Sequence, residues 1–242
     1  MSERFFEEGV FYHVYNRGTE GRDIFGDDSD YLRFIHYLYV LNDANQQSNI
    51  PLSDSSFDGE GNKKSRDVLV DICAYVLMPN HYHLLLYERR KGGISKFMHK
   101  LSTGQTMYFN SKYDRNGVLF QGRFKAKPIF DESYLAYLTY YIHANPLVLF
   151  VKTENKSSLQ QLEDYRWSSY LDYIGKNNFS SVVNTKPLRP FVDFVAEYKI
   201  FFENIALERG KTFFLPEGLS IDATKIIKIR PHFKNSGVEP RD

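Results

Sequence analysis

The chain has 242 residues, 42% of them hydrophobic, with 31 Lys and Arg against 30 Asp and Glu. That length suits one large domain or one domain with an appendage, and the composition excludes a largely disordered chain. The single cysteine, Cys73, excludes an internal disulfide and a cysteine-based zinc cluster and fits a reducing, cytoplasmic setting. The first ten residues carry Glu3, Glu7 and Glu8 and no apolar run, so no signal peptide is expected, and no segment is apolar enough to span a bilayer.

Phe11 to Arg17 alternates as a strand does, with Phe11, His13 and Tyr15 on one face and Tyr12, Val14 and Asn16 on the other. Gly18 and Gly21 mark a turn. Asp27 to Leu41 reads as a helix capped by Asp27 or Asp28, with Tyr31, Phe34, Ile35 and Leu38 at helical spacing. Residues 42–67 are dominated by Asn, Gln, Ser, Asp and Gly. They predict a mobile surface insertion with almost nothing to bury. Val68 to Met78 and His81 to Tyr87 predict two strands about a Pro79-Asn80 turn.

Ile94 to Tyr113 predicts a helix with Ile94, Phe97, Met98, Leu101 and Met107 on its apolar side. A loop and a short strand, Ala126 to Phe130, follow. Asp131 caps a helix from Glu132 to about Ala144, which Pro146 ends because the residue before a proline resists the α region. A short helix is expected near Trp167 to Tyr170 and a longer one from Phe191 to Leu207, with a frayed tail from Asn235. No internal repeat is present. The element order predicts an α+β fold, a largely antiparallel sheet with helices packed on its faces. Residues 1–175 would form the main domain and 176–242 a helical extension and tail.

Three segments carry chemistry. In Pro79-Asn80-His81-Tyr82-His83, residues two apart on a strand share a face, so His81 and His83 project together, near enough to share a cation, while Tyr82 points away. Two imidazoles with an otherwise oxygen-rich shell admit manganese or magnesium. In the helix that follows Asp131, Tyr134, Leu138, Tyr141 and Asn145 run along one stripe. Tyr141 and Asn145 are neighbours one turn apart, although four tyrosines leave the choice of a nucleophile open on spacing alone. In Gly117 to Lys125, Arg123 and Lys125 flank Phe124, a pattern suited to phosphate contact and base stacking.

The net charge of +1 gives no general affinity for nucleic acid. Yet Arg89, Arg90, Lys91, Lys96, Lys100, Lys112, Arg115, Arg123, Lys125 and Lys127 crowd one window that holds a single acid, Asp114. This band, with Arg17, is the expected DNA-binding surface.

Phe11 to Gly18, Met78 to His83, Phe120 to Lys125, Tyr141 to Pro146 and Tyr165 to Tyr170, in this order, resemble the single-tyrosine transposases of the His-hydrophobe-His class (IS200-like). Among them, the REP-associated tyrosine transposases look most similar. The resemblance covers roughly residues 9–175. It implies a ferredoxin-like fold, His81 and His83 as metal ligands with Mg2+ or Mn2+, Tyr141 as nucleophile and Asn145 as a third, amide-bearing ligand. It further implies nicking and rejoining of single-stranded or hairpin DNA through a 5′-phosphotyrosine, by a monomer or homodimer. Tyr82 departs from the family pattern, which has an aliphatic residue or Met between the histidines. A relative that grips hairpin DNA without cutting is the alternative, and a hydrolytic metallonuclease is a further one.

Overall fold

Four strands form one antiparallel sheet in the order β2-β3-β1-β4, where β1 is Phe11–Arg17, β2 Val70–Met78, β3 His81–Glu88 and β4 Lys125–Ile129. The structure is a computed structural model that describes residues 5–46, 66–150, 158–191 and 198. Helices α1 (Asp28–Val40) and α2 (Gly93–Lys112) link β1 to β2 and β3 to β4, so the first six elements read β-α-β-β-α-β with β3 inserted between β1 and β2. That is the ferredoxin-like arrangement. The expected fold class is therefore the observed one, with strand ends displaced by one or two residues.

The two sheet faces bury different layers. Tyr12, Val14, Tyr82, Leu84 and Leu86 pack against Phe34, Ile35 and Leu38 of α1 and Phe97, Met98 and Leu101 of α2. Phe11, Val76, Met78 and Leu85 pack against Leu135, Leu138 and Ile142 of α3 (Glu132–Ala144). A bulge in β2 between Ile72 and Ala74 explains why the apolar run there loses its period of two: Ile72 and Tyr75 reach one layer, Cys73 and Ala74 the other. β4 is an edge strand whose lysines and Pro128 discourage further pairing.

Tyr82 is fully buried among Phe34 and Phe120, with ring centres 5.2 and 5.9 Å away. Its bulk is accommodated on the face that α1 and α2 cover, away from the two histidines that flank it in sequence.

Asp27 caps α1 by accepting from the backbone N–H groups of Ser29 (2.9 Å) and Asp30 (3.2 Å). Asp131 caps α3 through the N–H of Tyr134 at 2.6 Å. The pattern predicts no element at Ser158–Asp164, where the structure has α4; at seven residues its signal is weak. The helix expected near Trp167 is the single turn Tyr170–Tyr173, α5. Apart from Phe191 and Tyr198, the helix expected over 191–207 lies outside the described residues, as does the tail.

The ends of the 42–67 insertion correct the expectation that it buries almost nothing. Asn42 is 6% exposed; its Nδ2 donates to the Val70 carbonyl at 2.9 Å and its Oδ1 accepts from the N–H groups of Leu69 (3.2 Å) and Val70 (3.0 Å). Arg66 donates to the Tyr39 carbonyl, and Arg90 pairs with Asp67 at 2.9 Å. An amide among polar neighbours looks like loop in sequence, yet here it satisfies the start of β2. Residues 47–65 lie outside the described residues. Asn42→Ala strands buried backbone groups and is expected to cost on the order of 3 kcal/mol. The check is a urea melt, where a midpoint unchanged from wild type would refute the role.

Candidate active site

The Pro79-Asn80 turn that launches β3 is held from several sides. The Pro79 carbonyl accepts from Ile24 N–H at 2.8 Å and Phe25 N–H at 3.2 Å, and the Asn80 carbonyl from Gly18 N–H at 2.8 Å. Gly18 has to be glycine, since a Cβ there would lie 2.1 Å from the Arg22 carbonyl oxygen. This rigid turn starts β3 at His81 and puts His81 and His83 on the α3 side of the sheet, ring centres 5.2 Å apart and planes 88° apart. His81 is half-buried at the strand end, whereas His83 is 1% exposed.

Each ring has a fixed neighbour at Nδ1. Asn80 Oδ1 lies 2.6 Å from His81 Nδ1, while Asn80 Nδ2 donates to the Gly21 carbonyl at 3.1 Å. The amide oxygen can only accept, so His81 Nδ1 carries the proton and its Nε2 keeps a lone pair. His83 Nδ1 lies 2.9 Å from Nε2 of His13 on β1. The register explains that meeting: Tyr15 sits opposite His83 and His13 opposite Leu85, so His13 is the diagonal neighbour of His83 on the same face.

Helix α3 lies over this face. Leu135, Leu138 and Ile142 anchor it, and His143 Nε2 meets Ser169 Oγ at 2.7 Å, with Ser169 Oγ itself accepting from Tyr75 N–H of β2 at 2.9 Å. So held, the half-buried Tyr141 turns its ring to His83 (5.5 Å between centres) and His13 (6.2 Å), nearly edge-on to both. Asn145, where α3 tightens into a 3-10 turn, donates from Nδ2 to the Tyr141 carbonyl at 2.8 Å. Tyr140, one residue away, is buried against Tyr198 with ring centres 4.5 Å apart.

Burial dominates the electrostatics. It raises the Tyr141 hydroxyl to about 12, with the nearby Asn145 side chain acting in the opposite direction. It also raises Tyr137 to about 12, and pushes Tyr134 well up, helped by neighbouring Tyr137 and Tyr141. Burial and then nearby Lys127 lower His13 to about 3; burial and then His13 and His81 hold His83 well below the usual histidine range. His13 and His83 are therefore neutral, as His83 must be to act as a ligand. Among the described residues no three His, Cys, Asp or Glu side chains converge on a metal position. The donors present are two imidazoles and the Asn145 amide, a set that leaves room for oxygen from water or substrate and suits Mg2+ or Mn2+.

The buried histidines make stability depend on pH. His13 and His143 have folded values of about 3 against 6.5 in an unfolded chain, so between those limits the unfolded state binds more protons. Their stabilisation is complete above pH 6.5 and is lost as pH falls, at up to about 1.4 kcal/mol per histidine per pH unit. The urea midpoint of the metal-free protein is expected to drop between pH 7 and pH 5. A flat profile over that range would contradict neutral burial.

The structure gathers some predicted residues and separates others. His81, His83 and Tyr141 meet on one face, and Asn145 lies one turn beyond Tyr141 with its Nδ2 on the Tyr141 carbonyl. Arg17 lies opposite His81 in register, Lys125 opposite Tyr15 and Lys127 opposite His13, so these three cations ring the same face. Arg89, Arg90 and Lys100 lie elsewhere: Arg89 pairs with Asp71 at 3.1 Å, Arg90 with Asp67, and Lys100, 6% exposed, donates to the Asp43 carbonyl at 2.5 Å. Arg123 lines an open groove of about 750 Å³ against Met98, Ser102 and Thr106 of α2. The sequence reading did not assign a role to His13, Tyr15 or Asn80. Their shared signal was the Phe11-His13-Tyr15 alternation and the residue before His81, but a role required the strand register.

Among the described residues no helix is long and apolar enough to cross a membrane. No curated protein sequence matches the chain. Two solved structures are similar in outline. One is a REP-associated tyrosine transposase bound to a REP hairpin, with 15% identity, a TM-score of 0.46, and 74% of this chain and 88% of that one covered. The other is a bacterial tRNA(His) guanylyltransferase-like protein in complex with ATP, with 10% identity, a TM-score of 0.35, and 68% and 71% covered. At these scores neither carries an activity to this chain. The family described as transposase IS200 like matches residues 61–145. That span runs from β2 to Asn145 and leaves out β1, and with it His13 and Tyr15. Across the segment that holds His81, His83, Tyr141 and Asn145, the chain thus matches the model of the family expected from the motifs, the IS200-like transposases.

Proposed function

We propose that the protein nicks and rejoins single-stranded or hairpin DNA with a divalent metal ion and Tyr141 as nucleophile. The observation that carries this reading is the Tyr141 ring lying 5.5 Å from that of His83, on the face where the two histidines project. Arg17, Lys125 and Lys127 hold backbone phosphates around this face. His81, His83 and the Asn145 amide would hold Mg2+ or Mn2+, which when bound polarises the scissile phosphate and offsets its developing charge.

The Asn145 amide favours the phenolate of Tyr141 against the effect of burial, and the phenol proton leaves to water at the half-open mouth of the site. Tyr141 Oη then bonds to phosphorus as the bond from phosphorus to the 3′ oxygen breaks, and that oxygen takes up a proton as a free 3′-hydroxyl. The 5′-phosphotyrosine retains the ester bond, so attack by a new 3′-hydroxyl reseals the strand and returns Tyr141 without ATP.

The test is incubation with imperfect-palindrome single strands and Mn2+. A protein–DNA adduct that survives boiling in detergent is expected. Nicking without an adduct would mean that water is the nucleophile, and tight hairpin binding without nicking would mean a binding protein. Affinity for single-stranded DNA should fall steeply with salt, the log–log slope shrinking by about 0.7 for each phosphate contact removed. The double variant Lys125→Ala/Lys127→Ala should therefore flatten the slope by about 1.4. An unchanged slope would move the phosphate contacts off β4.

A further inference from the structure

His13 is a fully buried polar side chain on the site face and has no part in the steps above. It is 0% exposed, and its Nε2 lies 2.9 Å from His83 Nδ1. The ring centres are 5.0 Å apart and the planes within 20°. That separation nearly equals the hydrogen bond plus two ring radii, so the rings are joined edge to edge through a single N–H···N bond. One proton lies between the two nitrogens, and where it comes from decides what His83 can do.

If His13 donates, the proton of neutral His83 must sit on Nε2, and no lone pair is left for a ligand on that side. If His83 donates, its Nε2 is bare, and the proton of His13 lies on Nδ1, which is buried with no hydrogen-bond partner. Asn80 enforces the second arrangement on His81, since an amide oxygen accepts only. His13 supplies the matching acceptor for the deeper ring.

We propose that His13 is a positioning residue whose Nε2 accepts the Nδ1 proton of His83, fixing the ring plane of His83 and keeping its Nε2 as a ligand lone pair. The inference rests on the metal-dependent reading of the site. It concerns β1, which lies outside the segment matched by the family. An outer partner that fixes a ligand histidine typically contributes 10- to 100-fold in metal affinity.

Mn2+ binding to the DNA-free protein, read from the EPR signal of unbound Mn2+, tests this without reference to catalysis. His13→Leu keeps much of the volume and removes the acceptor, so the dissociation constant should rise about 10- to 100-fold. His13→Gln can present an amide oxygen near the position of Nε2 and should recover most of the affinity. Equal Mn2+ affinity in wild type and folded His13→Leu would overturn the role of His13 alone. Failure of wild type to bind Mn2+ would overturn the metal reading and this inference with it. Should His13→Leu not fold, imidazole 15N NMR of the wild-type protein loaded with Mg2+ decides the matter. Protons on Nδ1 of both His13 and His83 are expected, and a proton on His83 Nε2 would overturn the proposal.

Discussion

Tyr141→Phe should yield no covalent adduct and no nick while still binding DNA and Mn2+. The substitution deletes one oxygen and leaves the ring that meets His83 and His13. The bond from Asn145 to the residue 141 carbonyl is kept, so stability should change by no more than about 1 kcal/mol. The control is Tyr15, whose ring is 5.8 Å from His83 and 4.9 Å from His13, so nearness to the histidines does not by itself choose between the two tyrosines. Tyr15 is 5% exposed and shut beneath the site, whereas Tyr141 is half-open and has beside it the Asn145 side chain, which favours its phenolate.

Tyr15→Phe, Tyr134→Phe and Tyr137→Phe should each keep the adduct, and peptide mapping of the trapped wild-type adduct should place the nucleotide on Tyr141. A nucleotide found on another tyrosine would remove both the Tyr141 and Asn145 assignments. With its hydroxyl raised to about 12, Tyr141 is protonated at neutral pH, so single-turnover adduct formation should accelerate as pH rises from 6 to 9. A rate that falls over this interval would argue against phenolate attack.

His81→Ala and His83→Ala should both abolish Mn2+ binding and nicking, but with different costs to the fold. Two imidazoles on one face of a strand suggest exposed ligands with little packing role, and that holds for half-buried His81 only. His83 is 1% exposed beneath α3 and bonded to His13. Its removal leaves a cavity and an unpaired ring nitrogen, for an expected loss of about 3 kcal/mol. Urea melts beside Mn2+ titrations separate the effects: His81→Ala near wild-type stability, His83→Ala well below it, neither binding metal. Metal-dependent nicking at the wild-type rate in a folded sample of either variant would refute the ligand assignment.

What the sequence by itself determined is local in origin. A period of two places His81 and His83 on one face of β3 whatever the strand packs against, and one helical turn joins Tyr141 to Asn145. Cap residues Asp27 and Asp131 and the breaker Pro146 likewise act within a few residues of themselves, which is why α1 and α3 were legible.

The tertiary structure decided every pairing between distant segments. The 70-residue interval from His13 to His83 closes only because β3 inserts beside β1, and a shift of one residue in that register would turn His13 to the opposite face. The run of cations from Arg89 to Lys127 shows the same limit. It reads as one band, but α2 carries the chain from one end of the sheet to the other edge between its two ends. Arg89, Arg90 and Lys100 are thereby left beside Asp71, Asp67 and the Asp43 carbonyl, while Lys125 and Lys127 come to the histidine face. Charge along a sequence adds up only where the fold brings it together, because Coulomb attraction depends on distance in space and is screened beyond roughly 10 Å.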